Sequence, residues 1–440
     1  MELFQCRELR KTRATGLAFH GIEATAILRP GSFEVLRKRL RRRSPIGKHV
    51  CTDIQITGNA MGLLEERQRR IVTTHVGSLP RPDALSEMMA DGKMSGPAYE
   101  SAVREAVADV IKRQTDCGID IVDDGEQSKP GFITYIDERL SGMAPRTDNP
   151  PQLDTREKRS FPEFYAHGHS GSRPPMRLCT GPVRYTGKTA VERDIANLKA
   201  ALKGKSVVDV FMPAVSPGQI FRYHLNRYYK SDEEFLIAIG EALREEYQAI
   251  IAAGFMLQID DPHLAMHYML EPQLSIEQTR RWASHYVEIL NRTLRDLPIE
   301  RIRHHTCYGI NMGPRTHDLE FKHLIDIVMN IRAGLYSFEA ANPRHEHEWK
   351  LWEGVKLPAG KAILPGVITH CSVLVEHPEL VSERIQRFAG VVGRENIIAS
   401  ADCGFASMPR AVVEVHPTIV WAKFQSLAEG ARLASRALWT

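Results

Sequence analysis

From residue 71 onward one unit recurs along the chain: an amphipathic helix, a glycine, a short apolar strand, and an acidic residue where the strand stops. The first clear copy runs from Tyr99 to Gly118, with Val103, Val107, Val110 and Ile111 at helical spacing. Ile119, Ile121 and Val122 then lead to Asp123-Asp124-Gly125-Glu126. In the second copy Leu236, Ile239, Leu243, Ile250 and Ile251 line a helix ending at Gly254, Phe255 to Ile259 form the strand, and Asp260-Asp261-Pro262 close it. The third passes through Leu324, Ile327, Val328 and Ile331 to Gly334, then strand Leu335 to Phe338, then Glu339. Glycine suits the left-handed position after a helix, and short strands apolar on both faces are what a parallel sheet requires.

Alternation of this kind over roughly 350 residues leaves two architectures, a doubly wound sheet and a (β/α)8 (TIM) barrel. A doubly wound nucleotide-binding sheet carries a glycine-rich phosphate turn after an early strand, and no such turn is present. The expected fold is therefore an α/β barrel, whose strands all end on one face where catalytic side chains gather. Further strand candidates are Ile71–Val76, Leu178–Tyr185, Val208–Ala214, Ile302–Cys307, Ala362–Thr369 and Ile397–Asp402. With the three above, that is one more than a barrel holds. Either the stretch near Val183 or the first one is expected to lie outside it or not to be a strand.

Residues 1–60 are expected to form a separate extension, and 61–440 the barrel. The run Arg37-Lys38-Arg39-Leu40-Arg41-Arg42-Arg43 is densely cationic. A disordered arm, a targeting segment, and upstream sequence read from a wrongly chosen start are the three readings. Glu2, Glu8, Glu23 and Glu34 argue against a targeting peptide, and Met61, just ahead of the first clean strand, favours the last. The formal net charge of +4 is small for 440 residues, and much of it sits in this segment, so the rest offers no general basic face for nucleic acid. No apolar run approaches the ~20 residues of a membrane span. Seven cysteines are scattered without the spacing of a disulfide framework, which fits a reducing cytoplasm where thiolates are free to bind metal.

The chemistry-bearing residues stand at strand ends. His305-Thr306-Cys307 closes one strand, Cys403 another in Ala401-Asp402-Cys403-Gly404, and Glu339 the one between. Residues two apart on an extended chain point the same way, so His305 and Cys307 can grip one ion. An imidazole, two thiolates and a carboxylate suit tetrahedral zinc, with thiolate favouring it over magnesium or calcium.

From about residue 71 to 410 the chain resembles the catalytic barrel of cobalamin-independent methionine synthase and its single-domain relatives. Thr73-Thr74-His75-Val76-Gly77-Ser78 is similar to the family's first-strand segment, Gly125-Glu126 to its G-E, and Gln258-Ile259-Asp260-Asp261-Pro262 to its Q-I-D-E-P. By that resemblance His305, Cys307, Glu339 and Cys403 bind zinc, with Glu339 the labile ligand. Ser78, Glu126 and Asp260 hold the thiol amino acid, the acids pairing with its ammonium group. The implied reaction is methyl transfer to homocysteine from a folate or corrinoid donor, giving methionine.

Two features depart from the family. There is no room for the second, N-terminal barrel of its full-length enzymes, which puts the methyl donor in question. Its proton-donating histidine follows G-V-x-D-x-H, whereas here the segment reads Gly366-Val367-Ile368-Thr369-His370-Cys371. His370, the candidate general acid, thus sits one position early, and one residue's shift on a strand turns a side chain to the opposite face. A related reaction, opening of an epoxide by the thiol of coenzyme M, is the alternative. Glu126 and Asp260 favour an amino-acid thiol, while Arg344, Arg222 and Arg227 leave a sulfonate open. A corrinoid-protein partner of uroporphyrinogen decarboxylase architecture and a non-catalytic binding barrel are the remaining readings. Oligomeric state is open.

Overall fold

The structure is a computed structural model that describes residues 60–146, 154–167, 176–309, 313–408 and 415–440. The basic segment and the first two cysteines lie outside the described residues. Eight parallel strands form the core: β1 (Val72–Thr73), β2 (Ile121–Val122), β3 (Asp209–Val215), β4 (Met256–Asp260), β5 (Ile302–Thr306), β6 (Leu335–Phe338), β7 (Ala362–Ile368) and β8 (Ile398–Ala401). Their order is β1-β8-β7-β6-β5-β4-β3-β2, so each strand lies beside its chain neighbour. The remaining edges, β1 and β2, meet through Asp120 N donating to Thr73 O at 3.3 Å and Thr74 Oγ1 to Ile121 O at 3.1 Å. The ring is thereby a (β/α)8 barrel.

Two copies of the repeat fold as their periodicity requires. Helix Pro97–Asp116 buries Val103, Val107, Val110 and Ile111, and helix Asp232–Ala252 buries Leu236, Ile239, Leu243 and Ile250. Gly118 and Gly254 follow them at φ +83° and +92°, where a Cβ would be strained. Ser231 caps the second helix by accepting from Glu234 N at 3.1 Å, and Asp232, Glu233 and Glu234 place negative charge at its positive end. The third copy differs from expectation. Its helix shrinks to a 3-10 turn, Phe321–His323, and a four-residue helix, Ile325–Val328. Gly334 is needed there for space, since a Cβ would lie 2.8 Å from Ile299 O.

The surplus strand is the one near Val183. Arg177–Cys179 leaves the barrel and pairs with Met143–Pro145 and His224–Asn226 in a small separate sheet. Among the elements that the sequence analysis does not name is a helix at Ala60–Arg67. Its Leu63 packs among Val72, Ile121, Phe211, Met256 and Leu364, closing the barrel end opposite the site. Arg67 Nε fastens it by donating to Glu395 O at 2.9 Å.

Candidate active site

The strand C-termini open on one cavity, lined among others by Ser78, Glu126, Phe132, Asp260, His305, Cys307, Cys403 and Ser407. Six of these are residues singled out in the sequence: Ser78, Glu126, Asp260, His305, Cys307 and Cys403. The structure brings them together from β1, β2, β4, β5 and β8.

Strand alternation decides which acid faces the cavity. Asp260 ends β4 pointing inward, where Gln258 Nε2 donates to its Oδ1 at 2.7 Å. Asp261 points outward and is spoken for, accepting from Ser216 Oγ at 2.9 Å and Tyr286 OH at 2.8 Å. After β2, Asp123 Oδ1 accepts from Gly125 N at 2.8 Å and Asp124 Oδ1 from Glu126 N at 2.9 Å. These bonds fold a tight turn in which Glu126 itself adopts φ +55°. Such a conformation costs a side-chain-bearing residue about 1 kcal/mol, and here it delivers the carboxylate to the cavity wall. Glu126 Oε2 is buried with no hydrogen-bond partner among the described residues. The neighbouring cation does not take it: Arg81 Nη2 donates to the backbone oxygens of Glu126 and Lys129, each at 2.8 Å. Burial, and then the charge of Glu126, push the Asp260 carboxyl well above the usual carboxylate range. Two acids forced toward one space call for a cation between them.

Across the cavity, ligand atoms of His305, Cys307 and Cys403 lie within 4.8 Å of one another, all buried. Two strands separate β5 from β8, so the group spans the barrel mouth. His305 Nδ1 is fixed by Ser337 Oγ at 2.9 Å, which leaves Nε2 buried without a partner. Burial, with the charge of Arg303 adding, holds this imidazole well below its ordinary pKa, hence neutral. A neutral imidazole with one nitrogen anchored and the other bare is the state in which histidine binds metal. Hydrogen bonding to Cys307 and burial raise the Cys403 thiol well above its ordinary range, so a cation beside it is what would favour its thiolate. The donor set fits a metal ion held by nitrogen and sulfur. Gly404 explains why glycine follows the second cysteine: a Cβ there would collide with Ser78 Oγ.

Glu339 is not one of this group within 4.8 Å, although its charge acts on Cys403, and it groups with His370 and Asp402. Its Oε1 accepts from Tyr308 N at 2.8 Å, and its Oε2 from Arg315 Nη2 at 2.7 Å and Asn342 Nδ2 at 2.9 Å. His370 is buried, is not among the residues lining the cavity, and has Nε2 3.1 Å from Cys371 Sγ. Burial, with Arg315 adding, lowers its pKa to about 4. Arg222 is paired with Glu271 at 3.1 Å, and Arg227 and Arg344 are exposed. None of the three lines the cavity. Ser337, Arg315 and Asn342 were not singled out in the sequence as site residues. Ser337 had a signal, lying two residues before Glu339 on the same strand face. Asn342 lies two residues before Arg344, which the sequence analysis does name. Arg315 had none, because its place depends on the path of a loop.

A family profile described as "Cobalamin-independent synthase, Catalytic domain" matches residues 71–419. The chain belongs to the cobalamin-independent methionine synthase family. It is a methyltransferase of that family. The methionine synthase of Sulfurisphaera tokodaii is 22% identical over 385 residues, which cover 83% of this chain and 93% of that protein. The 5-methyltetrahydropteroyltriglutamate–homocysteine methyltransferase of Catharanthus roseus is 25% identical over 355 residues, 79% of this chain but 41% of that enzyme. Among solved structures, a B12-independent methionine synthase from Shewanella sp. W3-18-1, in complex with selenomethionine, superposes with a TM-score of 0.66 at 19% identity, covering 84% of this chain and 99% of that one. That likeness is to the cobalamin-independent synthase fold. None of the described helices is long and apolar enough to cross a membrane.

Proposed function

We propose that this enzyme transfers a methyl group to the sulfur of homocysteine with zinc held by His305, Cys307 and Cys403, giving methionine. The observation that carries this reading is the placing of Glu126, whose Oε2 is buried without a hydrogen-bond partner among the described residues, beside buried Asp260 on the cavity that also bears the nitrogen–sulfur group. An amino-acid thiol offers an ammonium for the acids and a sulfur for the metal; a sulfonate thiol would meet repulsion at the same acids. Zinc bound there favours the thiolate over the thiol, supplying a nucleophile at neutral pH.

The protein's own groups do the rest. Ser337 keeps His305 turned toward the cavity, and Gln258 keeps Asp260 turned inward. Glu126 and Asp260 orient the substrate so that its sulfur reaches Cys307 and Cys403, and Ser78 contributes a hydroxyl at the same wall. His370 is assigned to return a proton to the atom that loses the methyl group, which requires its imidazole to turn from Cys371 toward the cavity, away from the burial and the Arg315 charge that keep it neutral.

The donor is a methylated folate or a methyl-corrinoid. Incubating the zinc-loaded chain with homocysteine and 5-methyltetrahydrofolate, its triglutamate, or methylcobalamin, and measuring methionine by mass spectrometry, tests the reading. Methionine from at least one donor, lost on chelation, is expected. Failure with all three while homocysteine still binds would overturn methyl transfer and leave the thiol site standing.

A further inference from the structure

Arg315 is among the most heavily engaged side chains near the site. It is buried, and it adopts φ +57°, a strained conformation for a residue with a side chain. Its guanidinium binds three partners in three directions: Nη2 to Glu339 Oε2 at 2.7 Å, Nε to Asp318 Oδ2 at 2.8 Å, and Nη1 to Cys371 Sγ at 3.2 Å. A brace stands behind it. Asp318 Oδ2 lies 3.2 Å from His345 Nε2, and His345 Nδ1 lies 2.8 Å from Glu348 Oε2. Glu348 in turn accepts from Phe321 N at 2.7 Å. The His345 ring stacks on Tyr308 with centroids 4.2 Å apart, and Tyr308 N is the donor to the other oxygen of Glu339. The two groups that grip Glu339 from opposite oxygens are thus supported by one histidine.

We infer that Arg315 is a positioning residue that holds the Glu339 carboxylate away from the His305–Cys307–Cys403 group, leaving the fourth position at the metal to the substrate thiol. The inference rests on the metal reading above. A buried carboxylate close to a divalent ion becomes a ligand unless something else satisfies it, because the attraction is strong away from bulk water. Arg315, Asn342 and Tyr308 N satisfy both oxygens of Glu339 at once. Only a planar fork reaches Glu339, Asp318 and Cys371 together; a lysine ammonium is a single point on a flexible stem. Glu339 therefore has two alternative partners, the guanidinium and the ion. The balance between them sets how readily sulfur enters.

The test uses the full chain loaded with Co2+, with homocysteine as the titrant and the sulfur-to-cobalt charge-transfer absorption as the readout. In the unaltered protein one equivalent of cobalt binds and homocysteine adds a sulfur band. Arg315→Gln is expected to keep the cobalt stoichiometry while raising the homocysteine midpoint at least tenfold, as the released Glu339 competes. Adding Glu339→Gln to it removes the competitor and restores the midpoint to within about threefold. If Arg315→Gln is insoluble, Asp318→Asn, which loosens the guanidinium without removing it, is expected to shift the midpoint the same way by about threefold. An unchanged midpoint in a variant that binds cobalt normally overturns the role of Arg315. Failure of the unaltered protein to bind cobalt overturns the metal reading instead.

Discussion

Replacing Glu126 with glutamine changes one charge and almost no volume, at the place where the account assigns the substrate ammonium. Two unit charges about 4 Å apart interact by roughly 4 kcal/mol at an effective dielectric near 20, which suits a partly buried site. Not all of that is lost, since the amide oxygen still accepts a hydrogen bond and Asp260 keeps its share of the ammonium. Hydrogen bonds to charged groups contribute about 1.5–3 kcal/mol each. We therefore expect Glu126→Gln to weaken homocysteine by about 2 kcal/mol, or roughly 30-fold in dissociation constant. The control is 4-mercaptobutanoate, the same thiol acid without the amine. For it the substitution removes a repulsive neighbour, so binding should be unchanged or tighter. Coenzyme M should bind the unaltered protein more weakly than homocysteine does, and gain on the substitution. Isothermal calorimetry with each thiol measures all three. Equal losses for homocysteine and for the amine-free thiol would refute the pairing, because a general disturbance of the cavity has no reason to read the amine.

Three further outcomes are expected. His370→Gln should lower kcat at least tenfold while leaving homocysteine affinity within about twofold; a loss of melting temperature with kcat intact would show a packing role. Burial opposes the charged form of His345, but hydrogen bonds to Asp318 and Glu348 outweigh it and raise its pKa from 6.5 to about 9. Its contribution is present in full below pH 6.5 and lost as pH rises through 9, on the order of a few kcal/mol. Chemical denaturation at pH 6 and pH 9.5 should show that decline in the unaltered protein and a flatter profile in His345→Gln. A chain beginning at Met61 keeps Leu63 and Arg67, so its melting temperature should match that of the full chain within about 2 °C.

The barrel was legible because its cause is local: apolar periods of 3.6 in helices and short apolar runs in strands repeat in order. Where the period weakened, reading failed for an identifiable reason. Leu324, Ile327, Val328 and Ile331 have helical spacing, yet the described residues between β5 and β6 form a 3-10 turn and four helical residues. The Ala60–Arg67 helix was missed because it is barely amphipathic and buries little beyond Leu63 and Arg67. Cys307 and Cys403 were readable as partners only through their strand-end positions, since their meeting across the mouth depends on barrel closure. The placing of Glu339 was not readable at all. The hydrogen bonds of Glu339 to Arg315 and Asn342 depend on loops whose course no periodicity describes.

Zinc K-edge absorption spectroscopy on the purified full chain, with and without homocysteine, addresses the central claim most directly. About one zinc per chain is expected, bound by one histidine nitrogen and two sulfurs, with a third sulfur at about 2.3 Å once homocysteine is added. Cys307→Ser with Cys403→Ser should remove most of the zinc. Metal content untouched by that double substitution, or a sulfur count that homocysteine does not raise, would contradict it.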